Sequence, residues 1–141
     1  MKSKSSLWWT AFVRFSLCVC CLIYVAEARS TLQVTLTPVD PPVTIPVYGG
    51  SFDYILDIEN VGSVSDTFDT WIEAVLPDTT LFGPIILREG LELPSGGLLT
   101  RTMTQNVPFG APYGTYTYRC NAGEYPGTII DSDEFTFLKY A

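Results

Sequence analysis

Ser51-Phe52-Asp53-Tyr54-Ile55-Leu56-Asp57-Ile58-Glu59 alternates apolar and polar side chains with a period of two. Phe52, Tyr54, Leu56 and Ile58 share one face, and Ser51, Asp53, Ile55, Asp57 and Glu59 share the other. That is the pattern of a β-strand with one side in a core and an acidic side in water. Upstream, Thr31 to Thr37 alternates in the same way through Leu32, Val34 and Leu36. Pro38, Pro41 and Pro42 then interrupt the ladder. Val43 to Val47 reads as an extended edge segment, because proline has no N–H to give to a central strand. Gly49-Gly50 turns the chain into the acidic strand.

Downstream, Asn60-Val61-Gly62 and a serine-rich link lead into Thr67 to Leu76. Here the faces conflict: Phe68, Ile72, Ala74 and Leu76 have one parity, Trp71 and Val75 the other. Either a bulge lies between Phe68 and Trp71, or Trp71 covers the second face. Ile85 to Leu87 and Leu91 to Leu93 read as short strands around Arg88-Glu89-Gly90, and Pro94 to Gly97 as a turn. Leu98 to Val107 is a threonine-rich strand with Leu99, Met103 and Val107 on one parity. Tyr113 to Asn121 turns Tyr116, Tyr118 and Cys120 inward, and Thr128 to Tyr140 carries Phe135 and Phe137 on its core parity. Pro or Gly breaks the pattern every eight to twelve residues, which leaves no window for a good amphipathic helix. The expectation is an all-β fold, an antiparallel sandwich of about seven strands.

The first thirty residues have a different character. Lys2, Lys4 and Arg14 flank or precede the apolar run Phe15 to Val25, which ends at Ala26-Glu27-Ala28. A basic start, a short apolar stretch and a small-x-small triplet make a secretory signal, with cleavage expected after Ala28. The run is shorter than the roughly 20 apolar residues that span a bilayer. Cys18, Cys20 and Cys21 follow Leu17, Val19 and Cys20, so the small residue needed before an acylated cysteine is missing. The chain is therefore expected as a leader over 1–28 and one domain over 29–141, secreted or at the cell surface, with no membrane span in the mature chain.

The 141 residues include 8 Lys or Arg, 15 Asp or Glu, 4 Cys and no His, for a net charge of −7. Loss of the leader removes three cations and one acid and takes the charge to −9. The only cysteine left is Cys120, so no internal disulfide supports the domain. Arg29, Arg88, Arg101, Arg119 and Lys139 are scattered and form no basic stripe, which argues against nucleic acid as a partner. Absence of histidine excludes Ser-His-Asp, Cys-His and His-metal chemistry.

Gly114-Thr115-Tyr116, after a proline turn at the start of the penultimate strand, resembles the tyrosine corner of immunoglobulin-like sandwiches, and Trp71 lies where such folds bury a tryptophan. The resemblance spans roughly residues 31 to 140 and implies Greek-key connections. It departs from antibody domains: the strand from Ser51 to Glu59 has no cysteine, and Tyr118 stands where the second one belongs. Val107 to Tyr118, with Gly123 to Gly127 and Asp131 to Phe137, is similar to the immunoglobulin-like modules near the C-terminus of secreted, cell-surface proteins of environmental bacteria, often ahead of a sorting domain. That likeness implies a spacer or binding unit without catalytic residues, either free or part of a longer protein.

Three candidate chemistries stand beside it. Asp131, Asp133 and Glu134, read as an acidic hairpin, could offer oxygens to calcium, with Asp66 and Asp69 as a weaker pair; they lack the glycine and distal glutamate of an EF-hand loop, and a solvated acidic turn is the plainer reading. No other cofactor is expected. Glu73, Glu89, Glu92 and Glu124 could supply the two carboxyls of a small glycoside hydrolase. Tyr113, Tyr125 and Trp71 could stack on sugar rings, unless Trp71 is core and the tyrosines belong to turns. Cys120, inward among aromatics, reads as an inert thiol. The chain is read as a non-catalytic module for adhesion, spacing or binding, with an extracellular protein or polysaccharide as partner. A carbohydrate-binding module is the alternative. Exposed edges, Val43 to Val47 or the C-terminal strand, offer pairing with another chain.

Overall fold

A computed structural model of the chain describes residues 32–141, and the leader predicted over 1–28 lies outside them. Eight strands make up the described fold: β1 (Leu32–Pro38), β2 (Val43–Ile45), β3 (Gly50–Asn60), β4 (Asp66–Val75), β5 (Leu81–Leu93), β6 (Leu98–Val107), β7 (Gly114–Glu124) and β8 (Thr128–Lys139). They form a three-stranded sheet in the order β1-β3-β6 and a five-stranded sheet in the order β2-β8-β7-β4-β5. The fold is the expected immunoglobulin-like sandwich, with one strand more than the seven counted from sequence. The addition is β2. The proline break after β1 carries the chain across to the other sheet, where β2 pairs with β8 in the one parallel ladder among the described strands.

The segments expected as separate strands at Ile85 and Leu91 are parts of one strand, β5. Its pairing with β4 slips between Phe68 and Thr70 and again between Ile72 and Ala74. Local irregularity hides a continuous strand from a period-two reading. A similar slip lies between Ala122 and Gly123 of β7. A Cβ at Gly123 would collide with the carbonyl oxygen of Thr128, so this crossing requires glycine.

Between the sheets, Phe52 and Tyr54 of β3 meet Tyr118 of β7 and Phe135 and Phe137 of β8. Phe52 stands edge-on to Tyr118 at 5.2 Å and to Phe135 at 5.6 Å, while Tyr116 stacks on Phe137 at 4.6 Å. The hydroxyls of Tyr54 and Tyr118 are 3.3 Å apart, and Tyr118 donates to Gln105 Oε1 at 2.8 Å. Burial pushes both phenols up from their ordinary value and keeps them neutral. Tyr116 donates to the Pro112 carbonyl at 2.5 Å, the bond that the tyrosine-corner resemblance implied. Asn60, fully buried, donates through Nδ2 to the carbonyls of Val64 and Leu93 and accepts from Gly62 N–H through Oδ1. It joins the end of β3 to the link before β4 and to the end of β5.

One side of the sandwich is laced by carboxylates. Asp131 accepts from Val34 N–H at 2.7 Å and Asp133 from Leu36 N–H at 2.8 Å. These N–H groups lie on the edge of β1 that β3 leaves free, so two side chains of β8 substitute for a neighbouring strand. The residues read as an acidic hairpin stand in the middle of a long strand instead, with Asp131 opposite Ala122 and Asp133 opposite Cys120. The C-terminal strand, read as an open edge, lies between β2 and β7.

Replacing Asp133 by alanine is expected to destabilise the domain by about 1 to 3 kcal/mol, since it strips a charge-assisted bond and leaves Leu36 N–H without it. Tyr116→Phe should cost about 1 kcal/mol through loss of the corner bond. Urea unfolding of both variants measures these values, and wild-type midpoints would contradict the roles given to the two bonds.

Candidate functional site

The candidate residues fall in three places. At one end of the five-stranded sheet, Trp71 of β4 is only 4% exposed and meets the Tyr125 ring edge-on at 5.4 Å. Phe68, Ile72 and Ala74 belong to the core cluster, and Thr70 turns inward beside them, its Oγ1 3.4 Å from Cys120 Sγ. Trp71 thus covers the second face. The expectation that it is the core tryptophan of an immunoglobulin-like fold is corrected: it is buried, but on the outer side of its sheet, under the β7–β8 turn. Asp69 fixes that turn by accepting from Tyr125 N–H at 3.0 Å and, through its other oxygen, from Gly90 N–H at 2.9 Å. These two bonds, Gly90's the stronger, hold the Asp69 carboxyl below its ordinary value. Asn121, paired in register with Trp71, is fully buried, and neither polar atom of its side chain has a hydrogen-bond partner among the described residues.

Tyr113 lies at the far end of β7 from Tyr125, roughly 40 Å away at the rise of an extended strand. The structure brings Trp71 and Tyr125 together and leaves Tyr113 apart, so the three do not form one sugar platform. Tyr113 instead lies 4.6 Å from the ammonium of Lys139. Lys139 is 1% exposed and donates to the carbonyls of Phe109 at 3.0 Å and Val47 at 3.3 Å. A buried cation there ties β8 to two loops.

The third place is the acidic strand. Asp131 and Asp133 are engaged with β1, and Glu134 pairs with Arg119 at 2.7 Å, with Glu73 3.7 Å away on the other side of the guanidinium. Among the described residues no group of three or more Cys, His, Asp or Glu side chains is placed to hold a metal. Cys120 is buried, and burial pushes its thiol up to about 11, which suppresses the nucleophilic thiolate.

Period-two reading missed the concave surface. On the side opposite the laced edge, β5 and β6 are both edge strands, and two cavities lie between them. One, about 260 Å³, is lined by Ala74, Phe82, Ile85, Val107, Pro112 and Tyr116 among others. The other, about 220 Å³, is lined by Leu56, the β4 run Thr70-Trp71-Ile72, Ile86, Leu91, Leu99 and Met103, with Arg88 and Arg101. Glu73, Glu89, Glu92 and Glu124 line neither.

No protein-family model matches the chain, and no curated protein does. Solved structures do. The fold is similar to the CARDB domain of a Pyrococcus furiosus protein, with a TM-score of 0.54 and 13% identity over 79% of this chain and 98% of that domain. It is also similar to part of a Bacteroides uniformis β-glucuronidase, at 0.53 and 11% identity over 74% of this chain and 13% of the enzyme. A Listeria innocua β-glucosidase matches at 0.50 and 15% identity over 80% of this chain and 17% of the enzyme. At such identities the likeness shows the fold alone, and the matched part of each glycosidase is a small fraction of its chain.

Because the folded Asp69 has a lowered pKa, its contribution is present above the ordinary carboxylate value and is lost as pH falls through the folded one. Asp69→Asn should therefore melt below wild type at pH 7, with the gap closing below about pH 4. A gap of equal size at pH 2 and pH 7 would contradict this. Trp71→Ala is expected to cost roughly 3 to 5 kcal/mol.

Proposed function

We propose that this chain is an exported, non-catalytic immunoglobulin-like module that works by contact, in adhesion, spacing or binding outside the cell. One observation carries the reading: the aspartates and two of the glutamates that could do chemistry are engaged in holding the sandwich, and the cavities left over are lined mainly by apolar side chains and by none of the candidate glutamates. Asp131 and Asp133 bond β1, Asp69 bonds a turn, and Glu73 and Glu134 flank Arg119. Cavities bounded by Leu, Ile, Phe and Val suit contact with a partner better than proton transfer. The similarity to one domain of a Pyrococcus furiosus protein on one hand, and to small fractions of glycosidase chains on the other, supports an auxiliary unit. Export rests on the leader reading.

The test is direct. The full chain, expressed in a secreting host, should appear outside the cell beginning at Arg29. Purified, it should adhere to isolated cell envelopes or extracellular matrix and turn over none of a panel of aryl glycosides. Glycoside hydrolysis abolished by Glu73→Gln would overturn the reading. Saturable binding of a purified polysaccharide, lost in Tyr125→Ala, would move the assignment to a carbohydrate-binding module.

A further inference from the structure

The two sides of the sandwich are treated differently. Along the β1 edge, carboxylates of β8 occupy the free N–H groups. Along the β6 edge nothing from the other sheet does so. Arg101 and Gln105 instead donate to carbonyls of their own strand, Thr100 O at 2.9 Å and Asn106 O at 2.7 Å. These are flexible side chains holding places that a neighbouring strand would take. Beneath that edge, Leu99 and Met103 line one cavity and Gln105 and Val107 the other. Apart from Asn106, the lining residues of β6, Leu99, Arg101, Met103, Gln105 and Val107, alternate with the period of a strand, so a strand laid beside β6 would drop every second side chain between the sheets.

Charge narrows the occupant. Among the described residues the ion pairs are those of Arg119, and Lys139 is buried against carbonyls. Arg88 and Arg101 remain. Both are exposed, each hydrogen-bonds, among the described residues, only a neighbouring carbonyl of its own strand, and both border the same cavity. Arg101 shares the inward parity of Leu99 and Met103, and its charged end leaves through the gap between the sheets. On a protein with nearly twice as many acids as bases, two unpaired guanidiniums over an apolar groove select a partner that is apolar on one face and carries a carboxylate.

We propose that the gap between β5 and β6 binds an extended acidic segment of a partner protein. That segment adds a fourth strand to the β6 edge, buries alternate apolar side chains in the two cavities and sets a carboxylate against Arg88 and Arg101. The proposal rests on the contact-module reading and names its partner class.

A random ten-residue peptide display library, selected against residues 29–141, supplies the probe; both sheets lie entirely within that span. Enriched peptides should alternate apolar residues with period two and carry Asp or Glu. They should slow amide exchange at Thr100, Thr102 and Thr104 and bind about tenfold more weakly, or less, to the Arg88→Glu/Arg101→Glu double variant, whose exposed substitutions should leave the melting temperature unchanged. No enrichment, enrichment of basic peptides, protection that maps elsewhere, or equal binding by the double variant would overturn the proposal. A self-associating protein that protects the same amides would also overturn it, assigning the edge to a second copy. Envelope binding retained by the double variant sinks this assignment and leaves the module reading standing, whereas envelope binding absent in the wild type sinks the module reading itself.

Discussion

With one cysteine in the domain, the two sheets are joined by packing, and the joint is aromatic. Tyr118, at the position where a disulfide-bonded relative of this fold would carry a cysteine, fills the space between β3, β7 and β8 together with Phe52, Tyr54 and Phe135. Large rings in edge-on contact set the distance between the sheets and give directional preference to their alignment. They also bring two hydroxyls into the core, which need partners there. Met103 Sδ, 3.6 Å from Tyr54 Oη, and Gln105 Oε1 provide them, and both residues belong to β6. The packing of the two sheets is thereby coupled to the register of an edge strand, and Gln105 carries the chain of bonds from the core to that edge.

The distribution of charge follows the same geometry. Inward-pointing carboxylates of β8 close the β1 side, while inward-pointing Arg101 leaves through the β6 side. Charges of this kind discourage indiscriminate edge pairing. They also give each side a sign, so that one edge is self-satisfied and the other selective. On the outer face, Asp69 works in the open at a lower energetic scale, pinning β5 at Gly90 and the β7–β8 turn whose Tyr125 packs on Trp71.

Much of the architecture was legible in the alternation of Phe52 to Ile58, Tyr116 to Cys120 and Phe135 to Phe137, because strands buried on one face imprint a period of two. Trp71 resisted that reading, since a residue can be buried from either side of a sheet and parity does not say which side is covered. The unity of β5 was hidden by slips in register that reset its period. The role of Asp131 and Asp133 had a signal that composition obscured: both share the parity of Phe135 and Phe137, which places carboxylates between the sheets. Arg101 carries the same signal beside Leu99 and Met103. The cavities had none, because they arise between two strands that follow one another in sequence but belong to different sheets and do not pair.

The register of the laced side continues beyond the carboxylates. Val34 and Leu36 meet Asp131 and Asp133, and Val43 and Ile45 then meet Phe137 and Lys139 in the parallel ladder of β2. The first two strands thus accompany β8 along most of its length in one direction. Tension applied between the start of β1 and the end of β8 would slide these elements past one another, stretching all the contacts together instead of opening them one at a time. A unit standing in line between two attachments would carry load in shear, the geometry in which short hydrogen-bonded strands resist force most strongly.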